Sequence, residues 1–203
     1  MNSVIVDERT VTPTKIVCIG RNYVEHIEEL GNEIADEMVV FFKPNSAISS
    51  ELASVHDEPL SYEGELCFVY EDGGFSAVGF GLDLTKRELQ SSLKSKSLPW
   101  ERAKAFDGAA SFSRFVTLVH EIDSLSMSLE INGAIVQSGN IGLMIYKPED
   151  ILTGLAEFVS LADGDIVMTG TPKGVGIVQA GAEFKGRVYA HGELLTSATW
   201  NAK

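Results

Sequence analysis

The sequence predicts an α+β protein that is mostly β, with short helices at its periphery. Three observations support this fold class. Many short apolar stretches lie between turn residues, few segments have helical signals, and strands and helices do not alternate regularly. The lack of alternation argues against a Rossmann or (β/α)8 layout. At 203 residues, the chain is expected to form one domain over residues 1–203.

Strands are expected where apolar residues lie between Gly, Pro, Asn or Asp turns, at residues 4–6, 16–19, 38–42, 66–70, 75–82, 118–119, 126–131, 134–137, 166–169, 177–178 and 184–189. A first helix is expected at 23–30, with 31–32 as its stop signal. A second is expected to open at 83–85 and run to Leu93, with Thr85 and Glu88 as a capping box. A third is expected at 148–161, because Pro148 lies near its start.

The chain is strongly acidic, with a net charge of −13 at pH 7. Because no basic patch is available to meet phosphates, we expect neither a nucleic-acid partner nor an anionic membrane partner. Cys18 and Cys67 lie in apolar runs and are expected to be buried free thiols in a reducing compartment. The first residues show no charged region followed by an apolar region, so no signal peptide is expected, and no apolar stretch reaches membrane-spanning length. The expected location is therefore the cytoplasm.

The pair Glu63 and Glu65 leads into an apolar strand. Side chains two residues apart on a strand point to the same face, so these carboxylates would project side by side. Burying two like charges is costly unless something compensates them, and a divalent cation would do so. Oxygen ligands favour Mg²⁺, Mn²⁺ or Ca²⁺. The alternative is a solvated strand face that carries two glutamates.

A third carboxylate, Asp83, follows the next expected strand. A hairpin turn at 72–74 would return that strand beside the first, and Asp83 would then lie near the level of Glu63 and Glu65. Three carboxylates on adjacent strand ends could bind Mg²⁺ or Mn²⁺ and leave positions open for water or substrate. The alternative for Asp83 is an N-terminal residue of the following helix.

His26 and Glu29 form a candidate acid–base pair, a few residues after Arg21. They are three residues apart on an expected helix and therefore share a face. A glutamate beside a histidine fixes its tautomer and raises its basicity, as a general base requires. Such a pair also occurs often by chance.

Two further features are candidates for contacts with an anion. Lys104 lies among mixed apolar and polar residues, so its ammonium is a candidate for partial burial. The alternative is a surface lysine on a loop. The glycine-rich residues 170–176 do not match a P-loop, because the order of Gly and Lys differs and strands follow. A loop that offers the Thr171 hydroxyl and backbone N–H groups to a small anion fits better, and the alternative is a plain hairpin turn.

Together these motifs resemble the fumarylacetoacetate hydrolase family, and most closely its small acylpyruvase and isomerase members. The resemblance covers nearly the whole chain, with a core at about 15–195. The motifs that carry it are residues 19–23 with His26 and Glu29, 42–44, 62–65, 83–85 with Arg87 and Gln90, 99–100 with Lys104, and 169–176.

The resemblance implies a mixed β-sandwich or β-roll of the family's C-terminal-domain type, a homodimer, and one Mg²⁺ or Mn²⁺ per site. It implies that Glu63, Glu65 and Asp83 are the metal ligands, and that His26 and Glu29 activate water from a short lid helix. The positions that match substrate contacts are Arg87, Gln90, Lys104 and Thr171, and we assign Arg21 to substrate binding as well.

One segment departs from the family pattern. Family members usually carry a Thr-Ser-Asp type run before a Met-Ile-Phe/Tyr motif, whereas this chain has Ile141, Gly142 and Leu143 there. Apolar groups thus replace polar ones, which puts the local loop, and with it the pocket edge or dimer contact, in question.

The function expected from these residues is hydrolysis of a carbon–carbon bond in a 2,4-diketo acid, such as an acylpyruvate or fumarylpyruvate. His26 and Glu29 would activate the water, and Lys104 would stabilise the leaving pyruvate enolate. The alternatives on the same scaffold are oxaloacetate decarboxylation, keto–enol tautomerisation and isomerisation of a 2-oxo-diene. The alternative from another class is a degenerate family member that binds a ligand without turning it over.

Overall fold

The structure is a computed structural model, and it describes residues 1–29, 31 and 35–203. The protein is mostly β with few helices, as the sequence predicts. The end of the first expected helix and part of its stop signal fall on Leu30 and Asn32, which lie outside the described residues.

The strands, in chain order, are β1 Val4–Val6, β2 Arg9–Val11, β3 Lys15–Gly20, β4 Val39–Pro44, β5 Val55–His56, β6 Glu58–Tyr62, β7 Gly64–Glu71, β8 Gly74–Asp83, β9 Thr85–Lys86, β10 Ala110–Phe112, β11 Val116–Thr117, β12 Leu125–Ile131, β13 Ala134–Asn140, β14 Ile166–Met168, β15 Gly176–Ile177, β16 Glu183–Ala190 and β17 Glu193–Asn201. The expected strand at 118–119 is wrong, because the pairing with β8 is made instead by the preceding β11.

The helices of the described residues are α1 Val24–Glu29, α2 Arg87–Ser95, α3 Glu101–Lys104 and α4 Pro148–Ala156. Short 3₁₀ turns are formed by Asn45–Ala47, Ile122–Ser124 and Ile141–Leu143. Within the part of the chain that the structure describes, none of these helices is long and apolar enough to cross a membrane.

Two large sheets form the body of the described chain. The first has seven strands in the order β10-β8-β7-β14-β3-β4, with β11 also paired to β8. It is mixed, because β14 runs parallel to β3 and antiparallel to β7. The second has four strands in the order β13-β12-β16-β17. A smaller sheet joins β15, β6, β5 and β9, and β1 pairs with β2.

The main core lies between the two large sheets. Phe68 and Phe80 of the first sheet are fully buried in one cluster with Met127 and Phe184 of the second. Phe80 lies so close to Gly186 of β16 that a Cβ there would be 2.1 Å from its ring. Burial of such apolar side chains contributes most of the favourable free energy that holds the two sheets together.

A second cluster covers the other face of the first sheet, where the thiols of Cys18 and Cys67 are buried. Both thiols are free, as the sequence predicts. Burial raises the pKa of each thiol well above its usual range, so both remain protonated.

The region after β8 differs from the sequence expectation. No capping box forms at Thr85, because this residue belongs to the short strand β9, and α2 begins at Arg87. The α2 N-terminus is capped from elsewhere in the chain. Glu58 of β6 accepts hydrogen bonds from the backbone N–H groups of Glu88, at 2.8 Å, and Leu89. A carboxylate at a helix N-terminus also interacts favourably with the helix dipole.

Candidate active site

The β7–β8 hairpin brings three carboxylates together. Glu65 pairs with Gly81 in the antiparallel register, and the Asp83 N–H donates to the Glu63 carbonyl at 2.8 Å. Each of the three side chains offers an oxygen within 4.8 Å of the others, and all three residues are buried. The hairpin that the sequence predicts thus forms, and it places Asp83 beside Glu63 and Glu65. We call these three residues the acidic triad.

Lys104 lies against the acidic triad. It ends α3, is only 3% exposed, and donates to Glu63 Oε2 and Asp83 Oδ2, both at 2.8 Å. The Thr85 hydroxyl accepts a third hydrogen bond from the ammonium at 2.6 Å. Burial lowers the pKa of Lys104, but Asp83 and Glu63 outweigh it and hold the pKa above its ordinary value. Lys104 is therefore a buried ammonium and not a surface lysine.

A second buried lysine was missed by sequence reasoning. Lys43 of β4 is fully buried, and its ammonium lies 2.8 Å from Asp83 Oδ1. It also donates to the backbone carbonyl of Lys104. The signal in the sequence is a lysine at the end of the apolar run of β4, where a charge needs a partner if the strand is buried.

Arg87 and Gln90 extend the polar network along α2. The Arg87 guanidinium donates to Glu63 Oε1 and, at 3.0 Å, to Gln90 Oε1. Burial raises the pKa of Glu63, but Lys104 and Arg87 more than offset it, so the pKa lies below its usual range. Glu63 is therefore a carboxylate held by two cations.

Glu65 has a different environment. Its Oε2 accepts a hydrogen bond from the Gly170 N–H at 2.7 Å, but no ion pair to Glu65 occurs among residues 1–29, 31 and 35–203. Burial, with the charges of Asp83 and Glu63, raises the pKa of Glu65 well above its usual range. A buried carboxylate without a cationic partner is a group whose charge a bound cation would compensate.

The candidate base lies on α1. His26 is buried, and its Nδ1 lies 3.2 Å from Glu29 Oε2. Glu29 in turn accepts the Gly174 N–H at 2.9 Å from Oε1 and 3.2 Å from Oε2. The 170–176 loop therefore holds the carboxylate that orients the histidine.

A buried glutamine, also missed by sequence reasoning, links the acidic triad to the 170–176 loop. Gln137 of β13 is 1% exposed. Its Oε1 accepts the Gly64 N–H, and its Nε2 donates to Thr171 Oγ1 and to the Pro172 carbonyl, all at 2.8 Å. The Thr171 hydroxyl donates to the Gly64 carbonyl at 2.9 Å.

The acidic triad, Lys104 and His26 line one cavity of about 50 Å³. Nine of the ten site residues expected from the sequence line this cavity. The tenth, Glu29, contacts the lining residue His26. Lys94 and the rings of Phe41 and Trp100 complete its wall beside Arg21. The space is well below the several hundred Å³ of most small-molecule sites.

The donor set fits a hard divalent cation. Carboxylate oxygens are the ligands that Mg²⁺, Mn²⁺ and Ca²⁺ prefer, and the triad lacks the thiolate and imidazole ligands typical of zinc. Glu65 in particular gains a compensating charge if a cation binds. The acidic triad can therefore hold a divalent metal ion.

Residues 141–143, which depart from the family pattern, are followed by a segment that is bonded to Asn22 and Tyr23 near the site. Ile141–Leu143 form a 3₁₀ turn, and Tyr23 bridges to Met144. The Asn22 side chain then bonds both the N–H and the carbonyl of Tyr146 and the carbonyl of Thr169. Backbone and Asn22 contacts thus fix this loop without polar side chains at its turn.

Comparison with known proteins defines the class. The model of the fumarylacetoacetate hydrolase C-terminal domain matches residues 15–198, so the chain belongs to this family. It is 36% identical to oxaloacetate tautomerase YcgM of Escherichia coli, over 84% of this chain and 86% of that protein. It is 34% identical to the mitochondrial oxaloacetate tautomerase FAHD1 of Homo sapiens, over 86% of each chain.

Solved structures of the family have the same fold. A fumarylacetoacetate isomerase/hydrolase-type protein from Oleispira antarctica superposes with a TM-score of 0.94 at 31% identity, and both chains are covered in full. Fumarylpyruvate hydrolase from Pseudomonas aeruginosa, in complex with Mn²⁺ and pyruvate, has a TM-score of 0.87 at 27% identity, over 100% of this chain and 96% of that one.

Proposed function

We propose that this chain is a divalent-metal-dependent enzyme that interconverts the keto and enol forms of a small 2-oxo dicarboxylic acid such as oxaloacetate. The observation that carries the proposal is the buried acidic triad beside the ammonium of Lys104. The names of the tautomerase relatives support this reaction over the hydrolysis expected from the sequence. A divalent cation in the triad would supply Lewis-acid polarisation of the substrate's 2-oxo group.

Tautomerisation needs a base beside the substrate carbon. A C3–H bond breaks and an O–H bond forms at the 2-oxo oxygen, so the reaction balances without a co-reactant. We assign the base to His26, which lines the cavity. With Nδ1–H donated to Glu29, Nε2 is left free to accept the proton.

The negative charge that develops on the substrate needs stabilisation. Lys104 is the group we assign to this role, because its ammonium is buried and its pKa is held above its ordinary value. Its three N–H groups already donate to Glu63, Asp83 and Thr85, so it acts through its charge or by exchanging one of these bonds for the substrate. A preorganised buried donor stabilises developing charge far better than a solvated one does.

Arg21 and Gln90 line the cavity and are assigned to the substrate's carboxylate groups, with Arg87 fixing Glu63 and Gln90. Thr171 lines the same cavity, but its hydroxyl proton is donated to the Gly64 carbonyl, so we assign it to shaping the cavity wall.

Hydrolysis of a 2,4-diketo acid is the second candidate. The contact between His26 and Glu29 favours it, because a carboxylate-oriented imidazole suits activation of water as well as removal of a proton. The structural likeness to a fumarylpyruvate hydrolase adds support. Decarboxylation of oxaloacetate requires no activated water and draws on the triad and Lys104 alone.

A substrate panel tests the proposal. Enol–keto conversion of oxaloacetate is followed by ultraviolet absorbance, pyruvate release by a coupled assay, and hydrolysis of acetylpyruvate and fumarylpyruvate by loss of their absorbance. We expect tautomerisation to be fastest, and to stop with EDTA and return with Mg²⁺ or Mn²⁺. Diketo-acid hydrolysis as the fastest reaction would favour the second candidate, and activity that survives full chelation would contradict the metal assignment.

The homodimer implied by the family resemblance is also a proposal. Analytical ultracentrifugation at micromolar concentration measures it directly. A monomer that remains fully active would show that one chain builds the whole site.

A further inference from the structure

We infer that Gln137 is a positioning residue, which fixes the peptide between two candidate metal ligands to the loop that carries Thr171. It lies in β13 of the second large sheet, 73 residues from Gly64 in sequence. The expected changes in kcat and KM rest on the proposed function. The expected change in metal affinity does not depend on which substrate the protein takes.

Gln137 contacts β7 just beyond the point where the pairing of β7 with β14 ends. β14 pairs with β7 up to Met168 opposite Cys67, and the Thr169 N–H still reaches the Leu66 carbonyl at 3.2 Å. Beyond this point β8 still pairs with Gly64 on one side of β7, but among the described residues no strand continues on the β14 side. The N–H and carbonyl of a buried peptide nevertheless need partners.

Two side chains replace the missing strand. Gln137 Oε1 accepts the Gly64 N–H, and the Thr171 hydroxyl donates to the Gly64 carbonyl. Gln137 Nε2 closes the ring by donating to Thr171 Oγ1. The amide orientation is fixed, because the Gly64 N–H requires an acceptor and the Pro172 carbonyl requires a donor.

This ring of hydrogen bonds affects the candidate metal ligands because Gly64 lies between two of them. Its neighbours in the chain are Glu63 and Glu65, so rotation of the Gly64 peptide would move both carboxylates. A Cβ at this position would lie 3.0 Å from Gln137 Oε1 and 2.9 Å from the Phe80 ring, so any side chain here would push the amide or the ring aside. Groups that orient metal ligands from behind typically change metal affinity or activity 10- to 100-fold when removed.

The two ends of the amide have separable tasks. Oε1 holds the strand that carries the ligands, whereas Nε2 holds Thr171 and Pro172 in the 170–176 loop. Gln137→Met removes both ends at nearly the same length. Gln137→Glu keeps an acceptor for Gly64 and loses the donors to the loop.

Mn²⁺ binding to the purified protein, measured by electron paramagnetic resonance, is the main readout. We expect Gln137→Met to weaken Mn²⁺ binding about tenfold and to lower kcat. We expect Gln137→Glu to keep Mn²⁺ affinity near that of the wild type and to raise KM for oxaloacetate, because Thr171 in the cavity wall then keeps only its hydrogen bond to Gly64.

Thr196→Val is the matched control. Thr196 is buried at the far edge of the same sheet, and its hydroxyl donates to the Arg114 carbonyl at 2.8 Å. Its removal lowers thermal stability without touching the site, so Mn²⁺ affinity is expected to stay unchanged. If Gln137→Met folds poorly, the Gln137→Glu comparison of Mn²⁺ affinity with KM still tests the division of tasks.

The outcomes separate the two proposals. A wild-type protein that does not bind Mn²⁺ would contradict the proposed function itself. Wild-type Mn²⁺ affinity in Gln137→Met, or an equal loss in Thr196→Val, would overturn the role of Gln137. Loss of Mn²⁺ affinity in Gln137→Glu with an unchanged KM would do the same.

Discussion

The carboxylate of Glu29 accepts the backbone N–H of Gly174, with an N···Oε1 distance of 2.9 Å. This contact ties α1 to the 170–176 loop and fixes the partner of the candidate base. Gly174 has a φ of +100°, and a Cβ there would lie 2.0 Å from the Val136 carbonyl oxygen of β13. The loop can therefore present this N–H to Glu29 only because residue 174 is glycine.

Gly174→Ala is expected to push the loop away from β13 and to release Glu29. Stability should fall by more than about 1 kcal/mol, as for alanine at other positive-φ positions, and kcat should fall as the base loses its orientation. Gly181→Ala is the matched control, because Gly181 has a φ of +80° but nothing within 4 Å of its would-be Cβ. Equal kcat values for the two variants would contradict the role of the Glu29 contact.

Lys43→Met should be among the most destabilising single substitutions near the site. It leaves the Asp83 carboxylate without one of its two ammonium partners and the Lys104 carbonyl without its donor. Breaking a buried pair on one side typically costs about 3–5 kcal/mol. Urea unfolding in EDTA measures the effect without any metal contribution.

The control for that experiment is Lys86→Met. Lys86 pairs with Asp57 at 2.9 Å, but the Asp57 side chain is 84% exposed and stays solvated when the lysine is lost. Lys86 itself is buried, but its loss leaves no buried charge behind, so we expect a cost nearer the roughly 0–1 kcal/mol of exposed pairs. If the two variants lose the same stability, the burial of Lys43 has no energetic consequence.

Glu65→Gln should stabilise the metal-free protein while it weakens metal binding. Burial and two neighbouring carboxylates raise the pKa of Glu65, so its charge opposes folding. A group with a raised folded pKa contributes its stability below its ordinary pKa, near 4.3, and loses it as the pH rises. The gain from Glu65→Gln should therefore appear at neutral pH and vanish in acid.

Asp83→Asn gives the contrasting result for the same ligand set. Asp83 is held by both Lys43 and Lys104, so its neutralisation leaves two ammonium groups poorly compensated. We expect a lower melting temperature in EDTA for Asp83→Asn and a higher one for Glu65→Gln, with the Mn²⁺-induced rise reduced in both. If the melting temperature in EDTA changes in the same direction for both variants, the proposed difference between the environments of Asp83 and Glu65 is wrong.

Asp165 should make the fold sensitive to acid. Its buried carboxylate accepts from the backbone N–H groups of Thr14, Lys15 and Ala162 and pairs with the Lys15 ammonium. Burial raises its pKa, but Lys15 and the N–H donors outweigh it, so the pKa lies below its usual value. This stabilisation is complete above the ordinary pKa, near 3.9, and is lost as the pH falls through the lower folded value.

Asp165→Asn is the corresponding variant. At neutral pH it should lose roughly 1.5–3 kcal/mol, the usual contribution of hydrogen bonds to a charged group. Thermal unfolding from pH 7 down to about pH 2 should show a constant gap to the wild type above about pH 4, and a closing gap below it. A gap that stays constant over this range would show that the carboxylate charge contributes nothing.

The acidic triad could be predicted from sequence because its geometry is local. A strand period of two aligns Glu63 with Glu65, and a hairpin turn returns Asp83 to their level. Lys43 and Gln137 could not be found in this way. Each lies far along the chain, and only the packing of β4 and of the second sheet brings them to Asp83 and Gly64.

The start of α2 shows why local rules failed there. Thr85 and Glu88 have the spacing of a capping box, but the Thr85 hydroxyl instead accepts from the buried Lys104. The demand of a desolvated ammonium for oxygen partners outweighs a cap worth about 1 kcal/mol. Glu58 then caps the helix from a strand that the sequence does not place beside it.

The turn between β7 and β8 sets the register that places Asp83 beside Glu63 and Glu65. Asp72 and Gly73 connect the strands, and a bulge between Val69 and Tyr70 shifts the pairing by one residue before it reaches the ligands. Because a slip of one residue turns every side chain to the opposite face, one inserted or deleted residue here would point Asp83 away from Glu63. The length of this surface turn therefore bears on the candidate metal ligands, and the positive φ of Asp72 and Gly73 restricts its composition as well.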